Sequence, residues 1–211
     1  MAPARALRPE DPAGPSHASS AARAQRLGLV QPPKATPADA FHAATSRFLR
    51  GQRIDMTALA AELSVSRATL YRWTGDRDRL LVDVLWGLGE SILDQALHDN
   101  PGHGRERVLA VVETFMAQIS SAEALRHFLE NDGALALRIL TSRDGVHRHT
   151  VAAVERLLEE ESRHGFQPSI EPSTLAYAIV RLGEAFIYND AINNVDPDLA
   201  AAAAVLSRLL G

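Results

Sequence analysis

Hydrogen-bond donors are concentrated in one short stretch, SVSRATLYRW, at residues 64–73. Guanidinium groups can bind guanine through two hydrogen bonds or pair with phosphate, whereas tyrosine and threonine hydroxyls more often contact the DNA backbone. If a serine caps a helix here, the free N–H groups of its first turn also suit a phosphate. This pattern predicts a surface that binds double-stranded DNA, and an ordinary solvated helix face is the alternative. The residues expected to face outward are Ser66, Arg67, Thr69, Tyr71 and Arg72.

The residues around this stretch have the spacing of a helix-turn-helix over positions 56–73. Ala60 falls where the two helices would cross. Ser64 takes the turn position that often carries glycine, at a cost of roughly 1 kcal/mol if the backbone is left-handed there. The apolar side chains that could form one small core are Leu59, Leu63, Val65, Leu70 and Trp73. The expected DNA contacts are Arg67 and Arg72 to bases, and Thr57, Tyr71 and Arg77 to phosphates.

The composition excludes several classes of protein. Of 211 residues, 46% are hydrophobic, which suffices for a sizeable core, and the absence of cysteine rules out disulfides and thiolate metal sites. A reducing cytoplasm fits this composition, and no apolar stretch approaches the ~18 residues of a membrane span. The net charge of −4 argues against nonspecific coating of nucleic acid. The charge is uneven, because residues 1–95 carry twelve Lys and Arg against ten Asp and Glu, and residues 96–211 carry ten against sixteen.

The sequence predicts an all-α chain with a tail and two domains. Residues 1–36 are rich in Pro, Ala, Ser and Gly and are expected to form a flexible tail, either solvated or touching DNA through Arg23, Arg26 and Lys34. Residues 37–80 would form the DNA-binding domain, and residues 81–211 a helical ligand-binding and dimerisation domain. Helices are expected to begin at Pro37, Asp55, Ser66 and Asp76, and then to span about 105–121, 123–130, 132–142, 145–164, 172–193 and 197–210.

The helix expected after Asp76 is apolar on most of its circumference. Its apolar residues are Leu80, Leu81, Val84, Leu85, Trp86, Leu88, Ile92 and Leu93. Such a helix is covered from both sides, so it is predicted to join the two domains mechanically.

Residues 40–85 resemble the DNA-binding domain of TetR-family repressors. The matching residues are Ala44, Phe48, Gly51, Leu59, Ala60, Val65, Ser66, Thr69, Leu70, Tyr71, Asp76, Arg77, Leu80 and Leu81. Ser64 departs from the family's turn glycine. Thr74 replaces its aromatic residue after the third helix, where Trp73 is expected to take over the packing. The rest of the chain matches the family only in layout.

The resemblance implies a ligand-responsive repressor that binds a palindromic operator as a homodimer. The stretches TLYRWTGDRDRLLVDVLW and RLGEAFIYND are also similar to the QsdR-like subgroup, regulators associated with the degradation of lactone quorum signals. That similarity implies a small effector with an apolar tail, and an acyl lactone is the first candidate.

The last two predicted helices suit a dimer interface. One helix-turn-helix contacts too few base pairs to specify a single site in a genome. A two-fold dimer contacts two half-sites of a palindrome and so reads twice as many. The penultimate helix has one apolar stripe and the last helix is rich in alanine, so a pair from each protomer would make a four-helix interface. Burial of both helices in one monomer core is the alternative. The expected interface residues are Leu175, Ile179, Leu182, Phe186, Ala202 and Leu206.

A second stripe on the penultimate helix is polar. Arg181 and Glu184 are equally consistent with an ion pair that serves packing and with the wall of a ligand pocket, in which Tyr177 and Tyr188 would supply hydroxyl groups. The expected ligand contacts are Trp86, Phe115, Met116, Ile119, Tyr177, Arg181, Glu184 and Tyr188. Phe128, Leu137, Val154 and Leu158 are further candidates for the wall.

The sequence predicts no enzyme, no cofactor and no metal site. His147 and His149 are two residues apart, so on a helix they point away from each other. No phosphate-binding loop, serine elbow or HExxH motif occurs. The alternatives to a ligand-responsive repressor are a lactone hydrolase, which lacks a recognisable nucleophile or metal cluster, and a ligand-independent DNA-binding protein, which the negative charge disfavours.

Overall fold

The computed structural model describes residues 34–189 and 196–211, and every regular element in these ranges is an α-helix, which confirms the all-α prediction. The helices are α1 (Pro37–Leu49), α2 (Met56–Glu62), α3 (Arg67–Thr74), α4 (Arg77–Asp99), α5 (Arg105–Ser121), α6 (Glu123–Thr141), α7 (Val146–Arg163), α8 (Pro172–Ile187) and α9 (Leu199–Leu209). The predicted tail falls almost wholly outside the described residues, as does the end of the helix expected at 172–193.

Side-chain caps determine where the first four helices begin. Thr36 and Asp39 each accept a hydrogen bond from the other's backbone N–H, which closes a capping box at the start of α1. Asp55, Ser66 and Asp76 cap α2, α3 and α4, and each accepts an N–H hydrogen bond from the first turn. These N–H groups have no partner within the helix, so the caps stabilise the starts that the sequence predicted.

The segment Glu123–Thr141, here called α6, consists of two helices joined at a kink, as the sequence predicted. The backbone at Asp132 has φ −133° and ψ 40°, outside the helical region, and Gly133 follows it. The bend falls at the predicted junction between residues 130 and 132. The two halves of α6 therefore have different directions, and Asp132 at the kink and Arg138 in the second half reach the start of α4.

Two apolar cores lie along the chain, and α4 takes part in both. The first core is built around Leu59, Leu70 and Leu80 from α2–α4, and α6 contributes Phe128 to it. The second core is formed by α5, α7, α8 and α9 together with Ala96 near the end of α4. As predicted, α4 is thus covered by both regions, and residues 36–211 form one compact unit.

Aromatic contacts connect α1 to the helices that follow it. The rings of Phe48 and Phe128 meet edge to face with 5.7 Å between their centroids. The ring of Phe41 lies so close to α4 that a Cβ at Gly87 would be 2.8 Å from it. Glycine at position 87 therefore permits the close approach of α1 to α4.

A buried ion pair fixes α5 against α7. Glu161 has no exposed surface, and its carboxylate accepts hydrogen bonds from the Arg107 guanidinium and, at 2.6 Å, from the Gly104 N–H. Burial acts to raise the pKa of Glu161, but these hydrogen bonds outweigh it and hold the pKa below its ordinary value.

No single helix of the described residues is both long and apolar enough to cross a membrane. The bent pair α5 and α6 meets that requirement by length and composition alone.

Candidate DNA-binding surface and apolar cavity

The turn between α2 and α3 is left-handed although serine takes the position that often carries glycine. Ser64 has φ 54°, in the left-handed region. Leu59 and Leu70 are completely buried, Ala60 is nearly so, and Trp73 packs half-buried against the same core. Helix α3 is therefore held by one face, and its opposite face points outward.

The outward face of α3 carries the donors expected for DNA. Tyr71 is 40% exposed, and Arg67 and Arg72 are exposed beside it. Neither arginine forms an ion pair with any residue that the structure describes. Both guanidinium groups can therefore bind an acceptor outside the chain.

The first turns of α2 and α3 hold the other predicted contacts of the DNA-binding domain. The hydroxyl groups of Ser66 and Thr69 are 2.9 Å apart, so both take part in the cap of α3. Thr57 is exposed in the first turn of α2. Contact of these three residues with DNA stays a prediction.

Two ion pairs attach the first turn of α4 to α6. Arg77 donates from Nε to the Ile54 carbonyl at 3.0 Å, and its Nη2 lies 3.7 Å from Asp132 Oδ2 at the bend. Beside it, Arg138 donates to Asp78 at 2.7 Å. Arg77 is thus engaged within the chain, and its predicted contact to a phosphate would use the nitrogen that remains, Nη1.

An apolar cavity of about 370 Å³ lies among α4, α5, α6, α7 and α8. This volume is within the range of small-molecule sites, roughly 300–1,000 Å³. Of the further wall candidates, Val154 lines it. The predicted ligand contacts that line the cavity are Trp86, Phe115, Met116, Ile119, Glu184 and Tyr188.

The cavity also reaches the DNA-binding domain and the surface. Phe48 and Leu49 at the end of α1 line it, and Leu49 is 56% exposed. Ser91 and Gln95 of α4 line it as well and are exposed. The cavity therefore opens between the ends of α1 and α4, and a ligand inside it would touch both helices.

Glu184 and Tyr188 supply the polar end of the cavity. Tyr188 is only 7% exposed, and its hydroxyl makes no hydrogen bond to a described residue. Burial, together with the carboxylate of Glu184, raises the pKa of Tyr188. The Glu184 carboxylate is bonded to His147 Nδ1 at 2.8 Å and to Arg181 Nη1 at 2.8 Å.

The polar stripe of α8 divides into two parts. Tyr177 is 45% exposed, and neither it nor Arg181 is on the cavity wall. Arg181 donates from Nε to the Tyr177 hydroxyl at 3.2 Å and from Nη1 to the Thr141 carbonyl at 3.0 Å. These contacts tie α8 to the end of α6, so the ligand contact predicted for Tyr177 and Arg181 gains no support from the geometry.

Two residues of this region were missed in the sequence. His147 is buried and hydrogen-bonded to Glu184. It precedes Val151 by four residues and Val154 by seven, so helical spacing places it on the apolar face of α7, and this spacing could have indicated its burial. Gly89 is a buried glycine within α4, and a Cβ there would meet nothing within 4 Å. Glycine is unfavourable inside a helix, so a glycine in the middle of a predicted helix is a feature that could have singled out this position in the sequence.

Four of the six residues predicted for a dimer interface are inside the chain's own core. Leu175, Ile179, Ala202 and Leu206 are at most 2% exposed, so a partner could not reach them. Leu182 and Phe186 are half-buried. The apolar stripe that the sequence analysis predicted for the interface therefore faces the chain's own core. The outward stripes consist of Ala178, Leu182 and Ala185 on α8 and Ala201 and Val205 on α9.

The fold and the α3 surface define a helix-turn-helix protein whose long α4 joins the DNA-binding helices to a helical C-terminal domain. The sequence profile of the family described as "Tetracyclin repressor-like, C-terminal domain" matches residues 103–211. The chain therefore belongs to the TetR family of transcriptional repressors.

Solved structures of the same family have this fold. The transcriptional repressor QsdR of R. erythropolis superposes with a TM-score of 0.77 at 26% sequence identity, over 83% of this chain and 94% of that one. The repressor AlkX from Dietzia sp. strain DQ12-45-1b, implicated in biodegradation of n-alkanes, gives a TM-score of 0.57 at 20% identity over 85% and 97% of the two chains, a likeness of fold alone. No curated protein sequence matches the chain.

Proposed function

We propose that the chain represses transcription as a homodimer in the cytoplasm. Helix α3 of each protomer binds one half of a palindromic operator, and a small effector with an apolar tail enters the cavity and releases the DNA. An acyl lactone is the first candidate, on the similarity to the QsdR-like subgroup. No catalytic step is part of this proposal.

The cavity is lined by the same helices that hold α3, and this arrangement supports the proposal. Phe48 of α1 and Leu85, Trp86 and Gly89 of α4 all lie on its wall. The first turn of α4 is fixed to α6 through Asp132 and Arg138. A ligand that changes the angle of α4 would therefore move the DNA-binding helices.

Release of DNA requires that the effector prefer the conformation that cannot bind the operator. In a two-fold complex the recognition helices must be about 34–36 Å apart, or a multiple of this, to meet successive grooves. A tilt of α4 changes that distance in both protomers at once. Each tenfold loss of operator affinity needs about 1.4 kcal/mol of preference for the incompetent conformation.

Filling the cavity tests its role. Gly89→Leu is expected to weaken binding of N-hexanoyl homoserine lactone at least about tenfold, because the new side chain would occupy the empty space that a ligand takes. The thermal midpoint should be kept or raised, since glycine inside a helix costs about 1 kcal/mol relative to alanine. Calorimetric titration and thermal unfolding measure both effects.

Gly89→Ala is the control for that variant, because it adds a single methyl group and should leave most of the cavity open. Equal lactone affinity in the parent chain and in Gly89→Leu would show that the ligand binds elsewhere.

Charge on the outward stripe tests the dimer. Val205 is 43% exposed on α9, so Glu at this position would not disturb the monomer core. In the proposed interface two such carboxylates would be buried near the two-fold axis, and the dimer dissociation constant should rise at least about 100-fold. Sedimentation over a concentration series measures this. Ala117→Glu, on the exposed side of α5, is the control, and a parent chain that is monomeric at micromolar concentration would refute the dimer.

A further inference from the structure

We infer that a second cleft of the chain, polar and separate from the apolar cavity, binds a phosphate group. It lies where the loop between α1 and α2 meets the first turns of α4 and the first half of α6, and its volume is about 230 Å³. Of its described lining residues, only Phe48 and Ala124 also line the apolar cavity. The cleft is therefore independent of the proposed function, which needs no ligand there.

The lining of the cleft has a buried apolar part and a charged polar part. The apolar part consists of Phe48, Ile54, Leu81 and Phe128. The polar part consists of Gln52, Arg53, Arg77, His127, Asn131 and Asp132. Two guanidinium groups against one carboxylate leave an excess of positive charge, whereas the described wall of the apolar cavity has no lysine or arginine. An anion is the ligand that complements this charge.

Arg77 is held in place but keeps most of its N–H groups unused. Its Nε donates to the Ile54 carbonyl at 3.0 Å, which fixes the plane of the guanidinium. Its Nη2 lies 3.7 Å from Asp132 Oδ2, an ion pair beyond hydrogen-bond distance, and no described residue accepts a bond from Nη1. Because a guanidinium presents its donors as a planar fork, Nη1 can bind one phosphate oxygen and Nη2 a second, in exchange for its contact to Asp132.

Two further donors in the lining have no acceptor. Arg53 is exposed in the loop before α2 and forms no hydrogen bond or ion pair with a described residue. His127 Nδ1 accepts a hydrogen bond from Asn131 Nδ2, 3.2 Å away, so the proton of the neutral ring is on Nε2. The Nε2 edge of this ring lies beside the loop, because a Cβ added at Gly51 would be 3.0 Å from Nε2.

The arrangement and the volume favour a phosphate group over other anions. The donors come from the loop, from α4 and from α6, and three directions suit a tetrahedral oxyanion better than a planar carboxylate. At the ~30 Å³ that a water molecule occupies in the liquid, the cleft holds roughly seven non-hydrogen atoms. Inorganic phosphate and the smallest phosphomonoesters are of this size.

A phosphate group can reach the cleft from two sources. One is the free anion, as inorganic phosphate or a small phosphomonoester, and the other is the backbone of DNA. Arg77 is also a predicted operator contact, so a free anion bound here would compete with the operator for the same guanidinium.

Calorimetric titration of the full chain with sodium phosphate, without DNA and at constant ionic strength, tests for the free anion. We expect one site per chain that Arg53→Ala weakens at least about tenfold, the usual loss of a hydrogen bond to a charged group. Arg50→Ala is the matched control, because Arg50 is exposed three residues earlier, donates to Ser46 and does not line the cleft. Its phosphate affinity should equal that of the parent chain.

Two variants of α6 test the cleft from its other side. Asp132→Asn should strengthen phosphate binding at least about threefold, because it removes the like charge, and a merely structural role would not raise the affinity. His127→Phe keeps a ring beside Gly51 but removes the Nε2 donor, so it should weaken binding about three- to tenfold. A phosphate affinity that is unchanged in both Arg53→Ala and Asp132→Asn would place the anion elsewhere and overturn the inference.

The salt dependence of operator binding distinguishes DNA from the free anion. If the ligand is a phosphate of the operator, the titration without DNA should show no binding, and Arg53→Ala should reduce the salt slope by about one. If the ligand is the free anion, Arg53→Ala should keep the salt slope of the parent chain. No phosphate binding in the titration together with an unchanged slope would overturn the inference and leave the proposed repressor intact.

Discussion

Arg72→Ala is expected to weaken operator binding at physiological salt at least about 30-fold. A bidentate contact to a base contributes about 1–3 kcal/mol, and a two-fold complex loses it twice, so affinity should fall roughly 30- to 20,000-fold. Arg72 is exposed on α3 and has no ion-pair partner among the described residues, so its removal leaves the fold unaffected. Fluorescence anisotropy with labelled operator measures the change.

Arg156→Ala is the matched control, since Arg156 is an exposed helical arginine of α7, away from α3. Tyr71→Ala separates the two kinds of contact. If Tyr71 contacts a phosphate, its loss should weaken specific and nonspecific DNA about equally, whereas Arg72→Ala should weaken the operator most. Parent-like binding by both variants would show that α3 does not face DNA.

Glu161→Gln is expected to produce the largest loss of stability. Removing one partner of a buried ion pair leaves the other charge without compensation, and Arg107 is largely buried here. The free energy of unfolding should fall by about 2–4 kcal/mol, which lowers the thermal midpoint by roughly 5–15 °C in a chain of this length. Glu160→Gln, the exposed neighbour, should leave the midpoint unchanged.

The same pair predicts a dependence on pH. The pKa of Glu161 is lowered in the folded chain, so its stabilising contribution is complete above the ordinary pKa of a glutamate and is lost as pH falls through the lowered value. The midpoints of the parent chain and Glu161→Gln should therefore converge on acidification. If the thermal midpoints of the parent chain and Glu161→Gln differ by the same amount at neutral and at strongly acidic pH, the ionised Glu161 is not the source of the stability.

Local rules were enough to predict the helix-turn-helix. The caps at Asp55, Ser66 and Asp76 use hydrogen bonds within one turn, and the core of Leu59 and Leu70 follows from helical spacing. Such features depend on neighbours in sequence, so periodicity and capping patterns reveal them.

The polar groups of the cavity depend on tertiary contacts, so only some of them could be predicted from the sequence. His147 and Glu184 are 37 residues apart, so no local pattern joins them. Tyr177 and Tyr188 share a helical face, but they are about 16 Å apart along the axis, and the part of α8 that lines the cavity begins at Ile179, beyond Tyr177.

For a related reason, most of the residues predicted for a dimer interface lie in the chain's own core. Both sides of α8 and α9 are apolar, and the more apolar stripe, with Leu175 and Ile179, is the one that the chain's own core buries. Alanine, leucine and valine make up the outward stripes, and their composition alone does not distinguish a partner-facing surface from a core-facing one.

In the proposed mechanism, occupation of the cavity controls DNA binding by α3. The direct measurement is the affinity of the full chain for an operator selected from random duplexes, taken at one salt concentration with and without saturating N-hexanoyl homoserine lactone. We expect the selected sequence to be an inverted repeat. With the lactone, the affinity of the parent chain for it should fall at least tenfold, about 1.4 kcal/mol, whereas the affinity of Gly89→Leu should not change. Unchanged operator affinity in a parent chain that calorimetry shows to be saturated with the lactone would contradict this mechanism.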